Sequence, residues 1–142
     1  MSFKNILLAV DDSEFSQKAT GKVVELARLM GSKVTVVHVV LPVRTVAHYE
    51  RLLPMFPEVN EVYDDIGRSI LDEAAGRFPE DMEVEAVLLH GNPALEIIEL
   101  SKEGFDLLVI GGHGSSGGPF FSMGSVVSKV IYNSDLPVLI VK

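Results

Sequence analysis

The chain has 142 residues, 20 acidic and 12 basic side chains, a formal net charge of −8 and a hydrophobic fraction of 47%. That length fits a single domain, residues 1–142, able to bury an ordinary core, and the apolar content excludes a disordered chain. The absence of cysteine excludes disulfides and cysteine-held metals, and the negative charge argues against nucleic acid as the main partner.

Strand and helix patterns alternate along the chain. Residues 3–10 form a short apolar run that ends in the turn-prone Asp11-Asp12-Ser13. A helix follows, with Ser13 as cap, Glu14 in its first turn, and Ala19, Val23, Leu26, Ala27 and Met30 on one face. Gly31 is placed to end it in a left-handed conformation. Residues 33–40, KVTVVHVV, read as a strand buried on both sides. A long connection at 41–57 contains Pro42, Pro54 and Pro57.

A second helix spans 58–78, with Val59, Val62, Ile66, Ile70, Ala74 and Phe78 at core-facing spacing. Residues 84–90 form a third strand. Asn92-Pro93 pairs a cap with a first-turn proline, opening a helix to Lys102 that Gly104 stops. A fourth strand at 106–110, a glycine-rich loop, a helix from Ser125 to Asn133 and a last strand from Pro137 to Val141 complete the pattern. Strands separated by helices imply a parallel sheet with right-handed crossovers, hence a three-layer α/β/α sandwich. Ligands on such sheets sit beyond the carboxyl ends of the strands, where strand order reverses.

Charge is concentrated rather than spread. Residues 58–85 carry ten acids against Arg68 and Arg77, a net −8, while the remaining residues balance. The second helix is therefore either a solvated face or a surface that steers a basic partner.

The loop after the fourth strand is the most unusual segment. Gly111, Gly112, Gly114, Gly117, Gly118 and Gly124 are half of the 12 glycines in the chain. Freed backbone N–H groups followed by a helix N-terminus at Ser125 suit a phosphate cradle. The competing reading is a plain surface loop. A dinucleotide fingerprint is rejected, because the GxGxxG at 112–117 does not open directly into a helix. A hydrolase elbow at Ser116 is rejected too, because no histidine follows His113. No P-loop lysine is present. Phe120, Phe121 and Met123 in this loop either pack over the sheet edge or form a partner-binding patch.

Gly111-x2-Gly114-x9-Gly124-Ser125, with ILLAVDDS, HVV at 38–40, HGNP at 90–93, VIGGHG at 109–114 and the closing PVLIVK, resembles the nucleotide-binding branch of the universal stress protein family. The resemblance covers the whole chain. It implies a five-stranded parallel sheet of order 3-2-1-4-5, of the adenine nucleotide alpha hydrolase-like type. It also implies a site for ATP, or AMP or ADP, at the switch between strands one and four. Carried over residue by residue, Ala9, Val10 and Asp11 would line the adenine and ribose side, and Val39 would touch adenine. Ile110 and Gly111 would underlie the ribose, and His113, Gly114 and Ser115 would meet the phosphates. Gly124, Ser125 and Val126 would hold them. Family members often carry a base after the second motif glycine; Ser115 stands there, so Mg²⁺ and N–H dipoles would carry more of the neutralisation. The resemblance further implies a homodimer paired through Pro137 to Val141.

Asp11-Asp12 suits either a Mg²⁺ site or a turn and helix cap. His38 reads as a satisfied core histidine, and the four histidines show no metal-ligand spacing. No catalytic residue is assigned, because nothing in the loop supplies a general base with a positioned water. A nucleotide-dependent stress-response regulator is expected, with a slow ATPase or autokinase and a nucleotide-free interaction module as alternatives. No apolar run reaches the ~18 residues that span a bilayer, and MSFKNILLAV lacks a cleavage signature, so a cytoplasmic location without membrane insertion is expected.

Overall fold

The computed structural model describes residues 3–42, 58–113 and 124–142. The elements run β1 (Asn5–Ala9), α1 (Glu14–Met30), β2 (Lys33–Val40), α2 (Glu58–Ala75), β3 (Val84–His90), α3 (Pro93–Ser101), β4 (Leu107–Gly111), α4 (Ser125–Asn133) and β5 (Val138–Val141). All four strand pairings are parallel, and the sheet order is β3-β2-β1-β4-β5. This is the expected order, and it places the reversal between β1 and β4.

The short connections are set by local chemistry. The Ser13 side chain caps α1 by accepting from the Ser16 N–H at 3.2 Å. Gly31 ends α1 at φ 67°, a conformation that costs a side chain but not glycine. The Asp106 carboxylate accepts from the backbone N–H of Lys4 at 2.8 Å and of Asn5 at 3.1 Å. It thereby clips the start of β1 to the start of β4.

Alternation along the strands splits the core in two. Ile6, Leu8, Val34, Val36, Leu107 and Val109 face α1 and α2. Leu7, Ala9, Val37, Val39, Leu108 and Ile110 face α3 and α4. β1 is sealed on both faces, as a central parallel strand must be.

One sequence expectation needs correction. The line of α2 buried on the sheet is Gly67, Leu71 and Ala74, continued by Phe78 beyond the helix, whereas Val62 and Ile66 are exposed. Gly67 supplies the reason. A Cβ there would come within 2.9 Å of both Leu88 and Val40 side chains, so the helix rolls its bare position onto the sheet. That rotation carries Val62 and Ile66 outward. Helix α2 also ends at Ala75, earlier than the periodicity suggests. The long connection at 41–57 lies outside the described residues from position 43 on, as does the choice between packing and patch for Phe120, Phe121 and Met123. Among the described residues, no helix is long and apolar enough to cross a membrane.

Candidate functional site

The carboxyl ends of β1 and β4 are registered by pairing of Ala9 with Ile110. Ala9, Val39 and Ile110 stand on the α3/α4 face, nearly buried, in one cluster with Val127 and Val130 of α4. They form a floor beneath the α4 N-terminus, and what they offer a ligand is mainly the strand ends. Val10 turns to the opposite face and packs with α1 and α2. The predicted contacts on strands one, two and four are thus gathered at one edge of the sheet but divided between its two faces.

Asp11 is held by its own turn. Its Oδ1 accepts from the Ser13 N–H at 2.8 Å, and its backbone N–H donates to Ser16 Oγ at 2.9 Å. The cap of α1 is Ser13, and Asp12 is exposed beside it. His38 Nδ1 lies 2.8 Å from the Val10 carbonyl, in agreement with a satisfied core histidine. Among the described residues, no group of three or more carboxylate or imidazole side chains could hold a metal ion.

The glycines after β4 have distinct structural duties. A Cβ on Gly111 would lie 2.8 Å from the Phe15 carbonyl carbon and 2.9 Å from its Cβ. Gly111 therefore lets the first turn of α1 press directly onto the end of β4. Gly112 has ordinary room and acts as a clasp. Its N–H donates to the Val141 carbonyl at 2.8 Å, and its carbonyl accepts from the Gly124 N–H at 3.4 Å. The two ends of the glycine-rich loop are thereby joined at the mouth of α4. Gly114 and Ser115 lie outside the described residues.

His113 sits against Phe15, with ring centroids 4.7 Å apart and planes tilted by 57°. Its backbone carbonyl accepts from Ser13 Oγ at 3.5 Å, and its buried Nδ1 has no hydrogen-bond partner among the described residues. Phe15 and Ser16 escaped the sequence reading. No local pattern marks Phe15, because its partner Gly111 is distant in sequence and is brought near only by the β1–β4 pairing, while Ser16 receives the Asp11 N–H within the turn.

The N-terminus of α4 is the most open in the site. Its cap residue is Gly124, no side chain caps it, and no acid stands in its first turn. Ser125 is exposed there, with Val126 beside it and Val127 buried below. Unsatisfied first-turn N–H groups together with the helix dipole attract an anion.

A family model described as the universal stress protein family matches residues 2–142. Universal stress protein YxiE of Bacillus subtilis is 32% identical, over 99% of this chain and 99% of its own length. The solved universal stress protein UspA from Lactobacillus plantarum aligns with a TM-score of 0.83 at 23% identity, covering 100% of this chain and 99% of that one. A universal stress protein from Archaeoglobus fulgidus, solved in complex with dAMP, aligns with a TM-score of 0.60 at 26% identity, with both chains fully covered.

Proposed function

Because the chain belongs to the universal stress protein family, we propose that it binds an adenine nucleotide at the β1/β4 switch and acts as a nucleotide-dependent regulator in the stress response. The observation that carries this reading is the uncapped, acid-free N-terminus of α4, beside the joined ends of the glycine-rich loop. ATP, with AMP and ADP as further occupants, is the ligand proposed. Its phosphates would lie at Gly124, Ser125 and Val126, with Gly114 and Ser115 completing the cradle. Its base and ribose would lie along Ala9, Val10, Asp11, Val39, Ile110 and Gly111. Mg²⁺ would enter on the phosphates.

The dAMP complex of the Archaeoglobus fulgidus relative supports the choice of an adenine nucleotide. The charge distribution supports it as well, since the acidic excess lies in residues 58–85 and residues 111–125 carry no charged side chain. Binding rather than rapid turnover is proposed. Asp11 is the one carboxylate assigned to the site, and its Oδ1 accepts from the Ser13 N–H. The protein would work in the cytoplasm as a homodimer joined through β5. Every residue of that edge strand is half-buried, which leaves apolar side chains and a row of backbone groups for a second copy.

Mass spectrometry of the small molecule released from purified protein tests the ligand. An adenine nucleotide is expected, and the absence of any such molecule together with no thermal shift on adding ATP would reject the site. Light scattering at micromolar concentration tests the assembly; a monomer would reject the β5 pairing.

A further inference from the structure

Helix α2 carries more apolar surface than the sheet consumes. Val62, Tyr63 and Ile66 are exposed by 54%, 47% and 48%. Helical spacing puts Val62 and Ile66 on the same flank as Ile70, Glu73 and Arg77. On that flank lies a groove between α2 and α1, floored by Val10 and walled by Gln17 and Thr20 on one side and by Ile70, Glu73 and Arg77 on the other. The exposed residues prolong it toward the carboxyl edge of the sheet, where α2 begins. Across α2, on its opposite flank, Asp64 reaches His90 at 2.7 Å, so that side is already tied to β3.

We infer that this groove docks a cationic amphipathic helix of a partner protein. Ile66 and Ile70, one turn apart, match apolar anchors at the same spacing on an incoming helix. Asp11, Asp12 and Glu73 border the groove. Arg77 is the one base among its lining residues and is engaged by Glu73 at 3.3 Å. The field over the groove is therefore negative, and it attracts Lys and Arg beside the apolar anchors. The same field argues against a second copy of this chain, whose matching face carries the same acids. It argues against nucleic acid for the same reason. The groove opens on the α1/α2 face, away from the α4 N-terminus, and its lining shares Val10 and Asp11 with the proposed base and ribose contacts.

The test uses a fluorescein-labelled Leu/Lys amphipathic helix and a Leu/Glu counterpart, titrated with the full chain and followed by anisotropy. The Leu/Lys peptide should bind, weaken as salt is raised, and outcompete the Leu/Glu peptide. Ile66→Ser should weaken it about tenfold, as loss of an anchor does. Asp12→Asn with Glu73→Gln should weaken it several-fold and flatten its salt dependence. Leu95→Ser, at an exposed site on α3 beyond the sheet, should leave it unchanged. Thermal melting of each variant confirms that the fold is intact. No binding of the Leu/Lys peptide, equal binding of the two peptides, or full affinity in folded Ile66→Ser would overturn the proposal. So would sedimentation showing that Ile66→Ser abolishes self-association, since the occupant would then be a second copy.

Discussion

Helices α3 and α4 begin at the same edge of the sheet and pack on the same face, yet their first turns are finished in opposite ways. At α3, Asn92 Oδ1 accepts from the Leu95 N–H at 3.2 Å, Pro93 removes a donor, and Glu96 places an acid in the first turn. That terminus is chemically closed. At α4, glycine occupies the cap position, no cap side chain folds back, and no acid stands in the first turn. The helix dipoles are alike, so the difference lies in what surrounds them. The proposed anion site rests on this contrast between an Asn-Pro cap on one helix and a bare neighbour beside a clasped glycine loop.

The sharpest way to break this contrast is to close α4 as α3 is closed. Gly124 has φ −69° and ψ 159°, which any residue adopts. Gly124→Asp should therefore fold and stabilise the protein by ~0.5 kcal/mol through capping and the dipole. It should also weaken ATP about a hundredfold, ~2.7 kcal/mol, by filling the anion site with a carboxylate. Calorimetric titration beside a thermal melt reads both signs at once, and unchanged ATP affinity would show that the α4 N-terminus is not the anion site. Gly111→Val should cost on the order of 2 kcal/mol in denaturant unfolding, because the new side chain meets the Phe15 backbone. Ser125→Ala should weaken ATP about tenfold, ~1.4 kcal/mol, with little change in melting. Asn92→Ala, the reciprocal opening of α3, should lose ~1 kcal/mol of stability while leaving nucleotide affinity untouched. Equal effects of Asn92→Ala and Ser125→Ala on ATP would erase the distinction.

The parts of this fold that were legible in the sequence are those decided within a few residues. Ser13, Gly31 and Asn92-Pro93 act on their immediate neighbours, and the helices they bound begin or end at or within a residue or two of those signals. The β2 and β3 boundaries also match their apolar runs. Strand order was not readable from periodicity and came from the family resemblance. What escaped was tertiary. The apolar stripe of α2 is wider than its buried line, so spacing alone could not say which edge of the stripe would turn outward. That choice rests on Gly67 meeting Leu88 and Val40, which belong to other elements. Gly111 has a structural duty that the glycine spacing did not reveal. Read as part of a phosphate cradle, it serves in the fold as the seat of Phe15, a contact between the first helix and the fourth strand.

The clip made by Asp106 has a consequence for how the chain is born. β1 is synthesised first and ends up in the centre of the sheet, paired with β2 on one side and β4 on the other. Asp106 reaches back 102 residues to the Lys4 amide, and the β1–β4 ladder follows from it. Until that stretch leaves the ribosome, β1 is a bare and largely apolar edge strand, the kind that invites wrong pairing. Closing so long a loop is also slow compared with forming the neighbouring β1-α1-β2 unit. The nascent protein thus passes through a stage in which its central strand is its most vulnerable one. Ribosome-stalled chains ending just before and just after β4 should differ sharply in protease resistance.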